Sequence, residues 1–465
     1  MLKVAFGPSD ATDIILPIRD GLIPEAYRPA CKRDGFVGKP GTLCEVLADG
    51  GRAVLVGLGS DALAAGAAAT SRLLQARRLA IDARGLPARD AAALAAGACL
   101  RAWHFDRLKT RPDDAAPRLA QVDLLSADPE TPAAWREIAA GVEGNLFARE
   151  LVTEPSNILT PAEFVARLQR LVPLGVRIEV IDEAALRRLG CGGLLAVGRA
   201  SRHPPCLVVL RWMGTGGGAP VAFVGKGITF DTGGVCLKPA DRMWDMRADM
   251  AGAAACAGAI LSLAQRRSPA PAIAILALAE NAIGAASMRP GDVVRMLDGS
   301  TVQLVDTDAE GRLVLADALA YAVRLGARAI IDAATLTGSI VTALGYCRAG
   351  AFDNDGDLAE SVVAAGQAAG ELVWRMPIGE SHRRALDSDI ADLKHCVDER
   401  SQPDASQAAA FLREFVGTTP WVHLDIAGVD SREAADDLFA KGATGFGVRL
   451  LDRLVAARFE QRDGD

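Results

Sequence analysis

Histidine is scarce in this sequence. Five occur in 465 residues, at 104, 203, 382, 395 and 423, and no two share a short motif. HExxH zinc sites are excluded and a His-rich centre is not expected, so any metal must rest mainly on carboxylates. CxxC is absent as well. The nine cysteines (31, 44, 99, 191, 206, 236, 256, 347 and 396) are scattered, as expected for reduced thiols in a cytoplasmic protein. The start, MLKVAFGPSD, has no apolar core of a signal peptide. The longest apolar stretches, near 251–264 and 269–279, are broken by Gln265, Arg266, Arg267 and Glu280. They fall short of the roughly 18 residues of a spanning helix, so no membrane association is expected. There is no large excess of either charge: 51 Lys and Arg against 58 Asp and Glu leave a net charge of −7. That balance argues against a dedicated nucleic-acid binder.

What the chain does have is apolar mass. Half of its residues are hydrophobic, and its length suits two or three domains. The pattern predicts an α/β fold with two domains. A smaller N-terminal α/β domain covers 1–130, a linker helix 131–152, and a larger C-terminal catalytic α/β domain 153–465. In the first, AVLVGLG at 53–59 reads as a strand and 63–80 as a helix. In 131–152, Trp135, Ile138, Val142, Leu146 and Phe147 recur at helical spacing after Asp128-Pro129. Strands at 207–212, 221–226, 272–279, 301–305, 327–334 and 421–428 build a mainly parallel central sheet. GTGGG at 214–218 reads as a hairpin or loop. Helices are expected at 249–265, 311–325 and 404–416.

Two segments are dense in chemistry. GKGITFDTGGVCLKPADRMWDMRADM, 225–250, carries Lys226, Asp231, Lys238 and Asp249; DTDAEGRL, 306–313, carries Asp308, Glu310 and Arg312. Lys226 ends an apolar strand, Asp231 follows a short turn, and Asp308 also follows an apolar strand. Ligands gather at the carboxyl ends of parallel strands, so these residues are expected to converge at one sheet edge. Asp308 and Glu310, two apart, would face one side of an extended segment. Gathered carboxylates repel unless cations neutralise them, and this set suits two divalent ions, Mn²⁺ or Mg²⁺ first and Zn²⁺ also. Taken alone, DTDAEGR also reads as a turn and helix cap, and either lysine as a solvated surface residue. A P-loop is excluded, because Pro220 and Gly227 stand where that motif needs Gly and Ser or Thr.

Over about 150–450 the chain resembles the leucyl aminopeptidases, or cytosol aminopeptidases, of the two-metal type. The likeness rests on GKGITFDTGG, CLKP, RADM, DTDAEGRL, DAATLTG at 332–338, HLDIAG at 423–428 and KGATGFGVRLL at 441–451. The resemblance implies hydrolysis of the N-terminal peptide bond of peptides, preferentially after apolar residues such as Leu. It implies two metal ions, Mn²⁺ or Zn²⁺, that bridge a water or hydroxide. Lys226, Asp231, Asp249 and Glu310 would hold the tighter ion, and Asp231, Asp308 and Glu310 the exchangeable one. Lys226 would then be neutral. Lys238 would stabilise the oxyanion, and Arg312 would hold a bicarbonate acting as general base. Met246, Thr335, Leu336 and Gly338 would bind substrate, with help from 441–447. A homohexamer in the cytoplasm is implied too.

The sequence departs from the family pattern at several points. Asp306 stands where Asn is usual, Thr232 replaces Ser, and Ala248 replaces an aromatic. Asn281-Ala282-Ile283 lacks the usual Met-Pro, and Gln402-Pro403-Asp404 falls where a Gly pair is common. None removes an expected ligand. Two rival readings remain: a two-metal phosphohydrolase, and a DNA-binding or regulatory protein on the same scaffold.

Overall fold

The computed structural model describes residues 1–48, 50–111, 116–397 and 403–460. The chain forms two compact units, Met1–Leu146 with Arg432–Gly442, and Phe147–Ser431 with Ala443–Asp465. The first unit holds strands β1 (Lys3–Phe6), β2 (Asp13–Ile18), β3 (Leu43–Ala48), β4 (Gly51–Gly57), β5 (Arg78–Asp82) and β6 (Gln121–Leu125). They form one sheet in the order β1-β6-β5-β2-β4-β3, parallel except for the β3–β4 pair. The helix expected at 63–80 ends early. It runs Ala62–Ser71, and Arg78–Asp82 is β5. The alanine-rich composition hid the change, because Arg78-Leu-Ala-Ile-Asp82 is as apolar as the helix before it. Segment 131–152 is helical, over Thr131–Thr153.

The second unit is built on an eight-stranded sheet. Its strands are β7 (Arg177–Ile181), β8 (Cys206–Trp212), β9 (Val221–Asp231) and β10 (Ala272–Asn281), followed by four more later in the chain. Two short strands, β11 (Val293–Arg295) and β12 (Thr301–Gln303), precede β13 (Ala329–Ala334), β14 (Ala349–Asp353) and β15 (Val373–Arg375). β16 (Leu393–Lys394) and β17 (Trp421–Asp425) complete the set. The order is β15-β14-β17-β13-β9-β10-β8-β7. The centre, β17-β13-β9-β10, is parallel, and antiparallel pairs lie towards the edges. GTGGG is therefore not a hairpin: β8 and β9 flank β10 on opposite sides. The 301–305 strand was expected in this sheet but lies in a separate one, β11-β12-β16. Its short apolar run was too brief to declare a partner.

The unbroken apolar run of β10 has a simple cause. Ala272, Ala274, Leu276 and Leu278 enter one core, while Ile273, Ile275, Ala277 and Ala279 enter the other. A strand covered on both faces needs apolar residues at every position. The helix Ala251–Gln265 packs on the first face and Glu310–Arg324 on the second. The stretch Met243–Gln265 is long and apolar enough to cross a membrane by composition, but 89% of its apolar window is buried inside the protein. Its hydrophobicity is that of a core helix.

Candidate functional site

The carboxyl ends of the central parallel strands supply the site. β9 runs without interruption to Asp231, so Lys226 sits within the strand and Asp231 ends it. The turn expected between them is absent. Lys226 shares its face with Ala222, Val224 and Ile228 and so points towards the helix Glu310–Arg324. Gly311 on that helix leaves room for it: a Cβ there would meet Lys226 Cε at 2.6 Å.

Lys226 Nζ lies 2.8 Å from Asp249 Oδ1 and 2.9 Å from Glu310 Oε1, and donates to the Thr335 carbonyl at 2.9 Å. Lys238 Nζ lies 2.9 Å from Asp231 Oδ2 and 2.5 Å from Asp308 Oδ1. Two lysines thus sit among four carboxylates. Gly233 and Gly234, both at positive φ, bend the chain between Asp231 and Lys238. At Gly233 a Cβ would meet the Cys236 carbonyl oxygen at 2.6 Å and the Lys238 nitrogen at 2.9 Å, so only glycine fits the turn.

Glu310 reaches the cluster differently from the extended pairing expected with Asp308. It is the first residue of the helix Glu310–Arg324, and Asp308 lies in the turn before it. The helix start aims Glu310 inward, where it is fully buried. Asp306, the departure from Asn, turns back and accepts from the Asp308 N–H at 2.9 Å. Thr232 donates to the Asn281 carbonyl at 2.8 Å with the hydroxyl that Ser would also offer. Gln402 lies outside the described residues.

Burial dominates the electrostatics. It pushes Asp249 up to about 6, Asp308 up to about 6 and Glu310 up to about 8, and the charge of Asp231 adds to each shift. Burial opposes the charge on Lys226 and Lys238, but the surrounding carboxylates outweigh it and both stay protonated. Asp231, Asp308 and Glu310 each offer an oxygen within 4.8 Å of one another. Asp249 Oδ2 and Glu310 Oε2 are buried with no hydrogen-bond partner among the described residues. Crowded carboxylates with orphaned oxygens fit a divalent cation with oxygen ligands.

Around this centre the other expected residues take distinct places. Thr335 follows β13, and its hydroxyl donates to Asp249 Oδ1 at 2.8 Å. Met246 lies in the short helix Met243–Ala248, and its carbonyl accepts from the Asp249 N–H at 3.4 Å. Gly338 is exposed, and a Cβ there would meet nothing within 4 Å. Arg312 is 3% exposed; its Nη1 donates to the His395 carbonyl at 3.0 Å and its Nη2 to Asp404 Oδ1 at 2.8 Å.

Several positioning residues escaped the sequence reading. Asn281 donates to Asp231 Oδ1 at 2.7 Å and to the Thr307 carbonyl at 3.1 Å. Thr307 donates to the Gly233 carbonyl at 2.6 Å and accepts from the Cys236 N–H at 2.8 Å. Asp425, fully buried at the end of β17, accepts from the Leu336 N–H at 3.1 Å and the Thr337 hydroxyl at 2.6 Å. The signal for Asp425 was its place in HLDIAG, a buried charge inside an apolar strand.

The chain is similar to known proteins along most of its length. Residues 146–452 match the cytosol aminopeptidase family, catalytic domain. The chain is 43% identical over 447 residues to a probable cytosol aminopeptidase of Brucella suis biovar 1 (strain 1330), covering 92% of this chain and 90% of that one. It is 41% identical to a probable cytosol aminopeptidase of Rhizobium meliloti (strain 1021), covering 99% and 96%. Among solved structures, the bottromycin maturation enzyme BotP in complex with Mn superposes with a TM-score of 0.87 at 36% identity, covering 96% of this chain and 99% of that one. A tomato leucine aminopeptidase mutant gives 0.85 at 32%, covering 98% and 97%. The chain belongs to the cytosol aminopeptidase family and is a metal-dependent hydrolase, an exopeptidase acting on peptides.

Proposed function

We propose that this aminopeptidase prefers peptides with apolar N-terminal residues such as Leu and works with two divalent ions per subunit, Mn²⁺ or Zn²⁺, with Mg²⁺ as a third option. The catalytic domain is 153–465, joined to an N-terminal domain, 1–130, by the helix 131–152. Lys226, Asp231, Asp249 and Glu310 would hold the tighter ion; Asp231, Asp308 and Glu310 would hold the exchangeable one. The observation that carries this reading is four carboxylates clustered with only two lysines to balance them. Bound ions supply Lewis-acid chemistry, lowering the pKa of water and polarising a carbonyl.

The chain's own residues do the rest. Lys226 would have to be neutral to act as a ligand. Lys238, then freed from Asp231 and Asp308, donates to the oxygen on which negative charge develops. The backbone of Leu336 holds the peptide, and Met246, Thr335 and Gly338 contact its first side chain. Arg312 holds the anion that handles the proton. A bicarbonate from solution would share the guanidinium with the His395 carbonyl and Asp404. Cytoplasmic residence and hexameric assembly belong to the same reading. The nine cysteines are all free, in keeping with a reducing compartment.

A test compares Leu-p-nitroanilide with free and N-acetylated peptides, with Mn²⁺ or with chelator. Release should need the metal and a free amine. Release that survives chelation, or that is equal on acetylated peptides, sinks the reading. Hydrolysis of a phosphoester instead would favour the phosphohydrolase.

A further inference from the structure

Arg312 follows Glu310 by two residues on the same helix and is buried. Two of its five N–H groups are engaged. Nη1 is spent on the His395 carbonyl, and Nη2 meets Asp404 at 2.8 Å. Nε is buried and has no partner among the described residues. Asp404 begins the helix Asp404–Arg413. The next residue, Ala405, donates its N–H to Ser339 Oγ at 2.9 Å, directly after Gly338. This fixes the helix start between Arg312 and the turn 335–339. Asp404 closes the stretch Gln402-Pro403-Asp404, which falls where the family commonly has a Gly pair.

From these contacts we infer that Asp404 is the anion of Arg312, a tethered carboxylate that takes the place of dissolved bicarbonate. The inference rests on the aminopeptidase reading and changes one part of it. A carboxylate and a bicarbonate offer the same planar pair of oxygens to a guanidinium, and the tethered one needs no capture from solution. In turnover Asp404 accepts the proton lost by the attacking water as its oxygen bonds to the carbonyl carbon. It returns that proton to the amine nitrogen as the C–N bond breaks, and the carboxylate is restored. The side chain is 41% exposed, so it retains freedom to turn between Arg312 and the substrate.

The test uses the metal-loaded full chain and two variants, Asp404→Gly and Asp404→Asn, in buffer stripped of CO₂. Zn²⁺ is used for the binding measurement, since it is diamagnetic. The wild type should turn over equally with and without bicarbonate and should not broaden the ¹³C signal of labelled bicarbonate. Both variants should lose about 10²-fold in kcat without bicarbonate, the lower end for a positioned proton acceptor. Asp404→Gly should recover with added bicarbonate and broaden its signal. Asp404→Asn keeps the shape of the side chain and controls for misfolding at the helix start. A wild type that binds or requires bicarbonate overturns the inference, as do variants that remain active without it. If the wild type hydrolyses no peptide under any condition, the aminopeptidase reading fails, while the binding comparison still decides what occupies Arg312.

Discussion

At the level of single residues, the scarcity of histidine turns out to match where the histidines are. Two of the five are buried, and neither touches the carboxylate cluster. Burial pushes His395 down to about 4, so it stays neutral; its Nδ1 accepts from the Val305 N–H and its Nε2 meets the Asp306 carbonyl at 2.7 Å. It braces the strand that leads into Asp308. His423 is buried against Asp332, 2.5 Å away, and stacks between Phe352 and Trp421. Charge handling at the site falls instead to lysine, arginine and carboxylates. Lys238 pairs with Asp231 and Asp308, on two chain segments. Replacing it with Ala should lower turnover by about 10²–10³-fold, as when an oxyanion donor is removed. Metal content, read by elemental analysis, should hold. Loss of the metal with the side chain would assign Lys238 a different task.

At the level of elements, the site depends on how closely helices approach the sheet. The helix Ala251–Gln265 starts just after Asp249 and crosses β9 and β13 at its glycine-containing end. A Cβ on Gly252 would sit 1.9 Å from the Ala333 carbonyl oxygen, and one on Gly225 would sit 2.5 Å from Ala253 Cα. Both obstacles are backbone, which cannot step aside as a side-chain tip can. Gly252→Ala should therefore push the helix off the sheet and destabilise the metal-free protein by about 1–3 kcal/mol. Equilibrium denaturation checks this, and an unchanged midpoint would show that the helix and sheet tolerate a methyl group at their contact. The same helix start carries Asp249, so weaker metal binding should accompany the loss. The short helix Gly338–Leu344 is set by Asp425 from another strand and capped by Thr337. These links join positions about ninety residues apart, which no local pattern displays.

The molecule as a whole couples folding to the charge of its site. In the metal-free protein Asp249, Asp308 and Glu310 hold protons up to about 6, 6 and 8. The unfolded chain loses them near the ordinary value of about 4. Between those limits the folded state binds more protons, so metal-free stability falls as pH rises. Cations bind the deprotonated cluster, so their stabilising effect grows over the same window. The gain in Tm from Mn²⁺ over chelator should be larger at pH 8 than at pH 6; a flat or opposite trend would place the metal elsewhere. Much of this was legible in the chain. The motifs around Lys226, Asp231 and Asp308 are short and dense, and the doubly apolar strands announce a covered sheet. The local geometry was less legible: the uninterrupted β9, the helical start at Glu310 and the separate sheet of β12 all went against expectation. Sequence by itself determined the donor chemistry, because side-chain identity sets charge and ligand type wherever the residue lies. Tertiary structure alone decided the pairings, Arg312 with Asp404 and Asp425 with Leu336. Distance in space follows from packing the whole sheet and its helices, and chain separation carries no record of it.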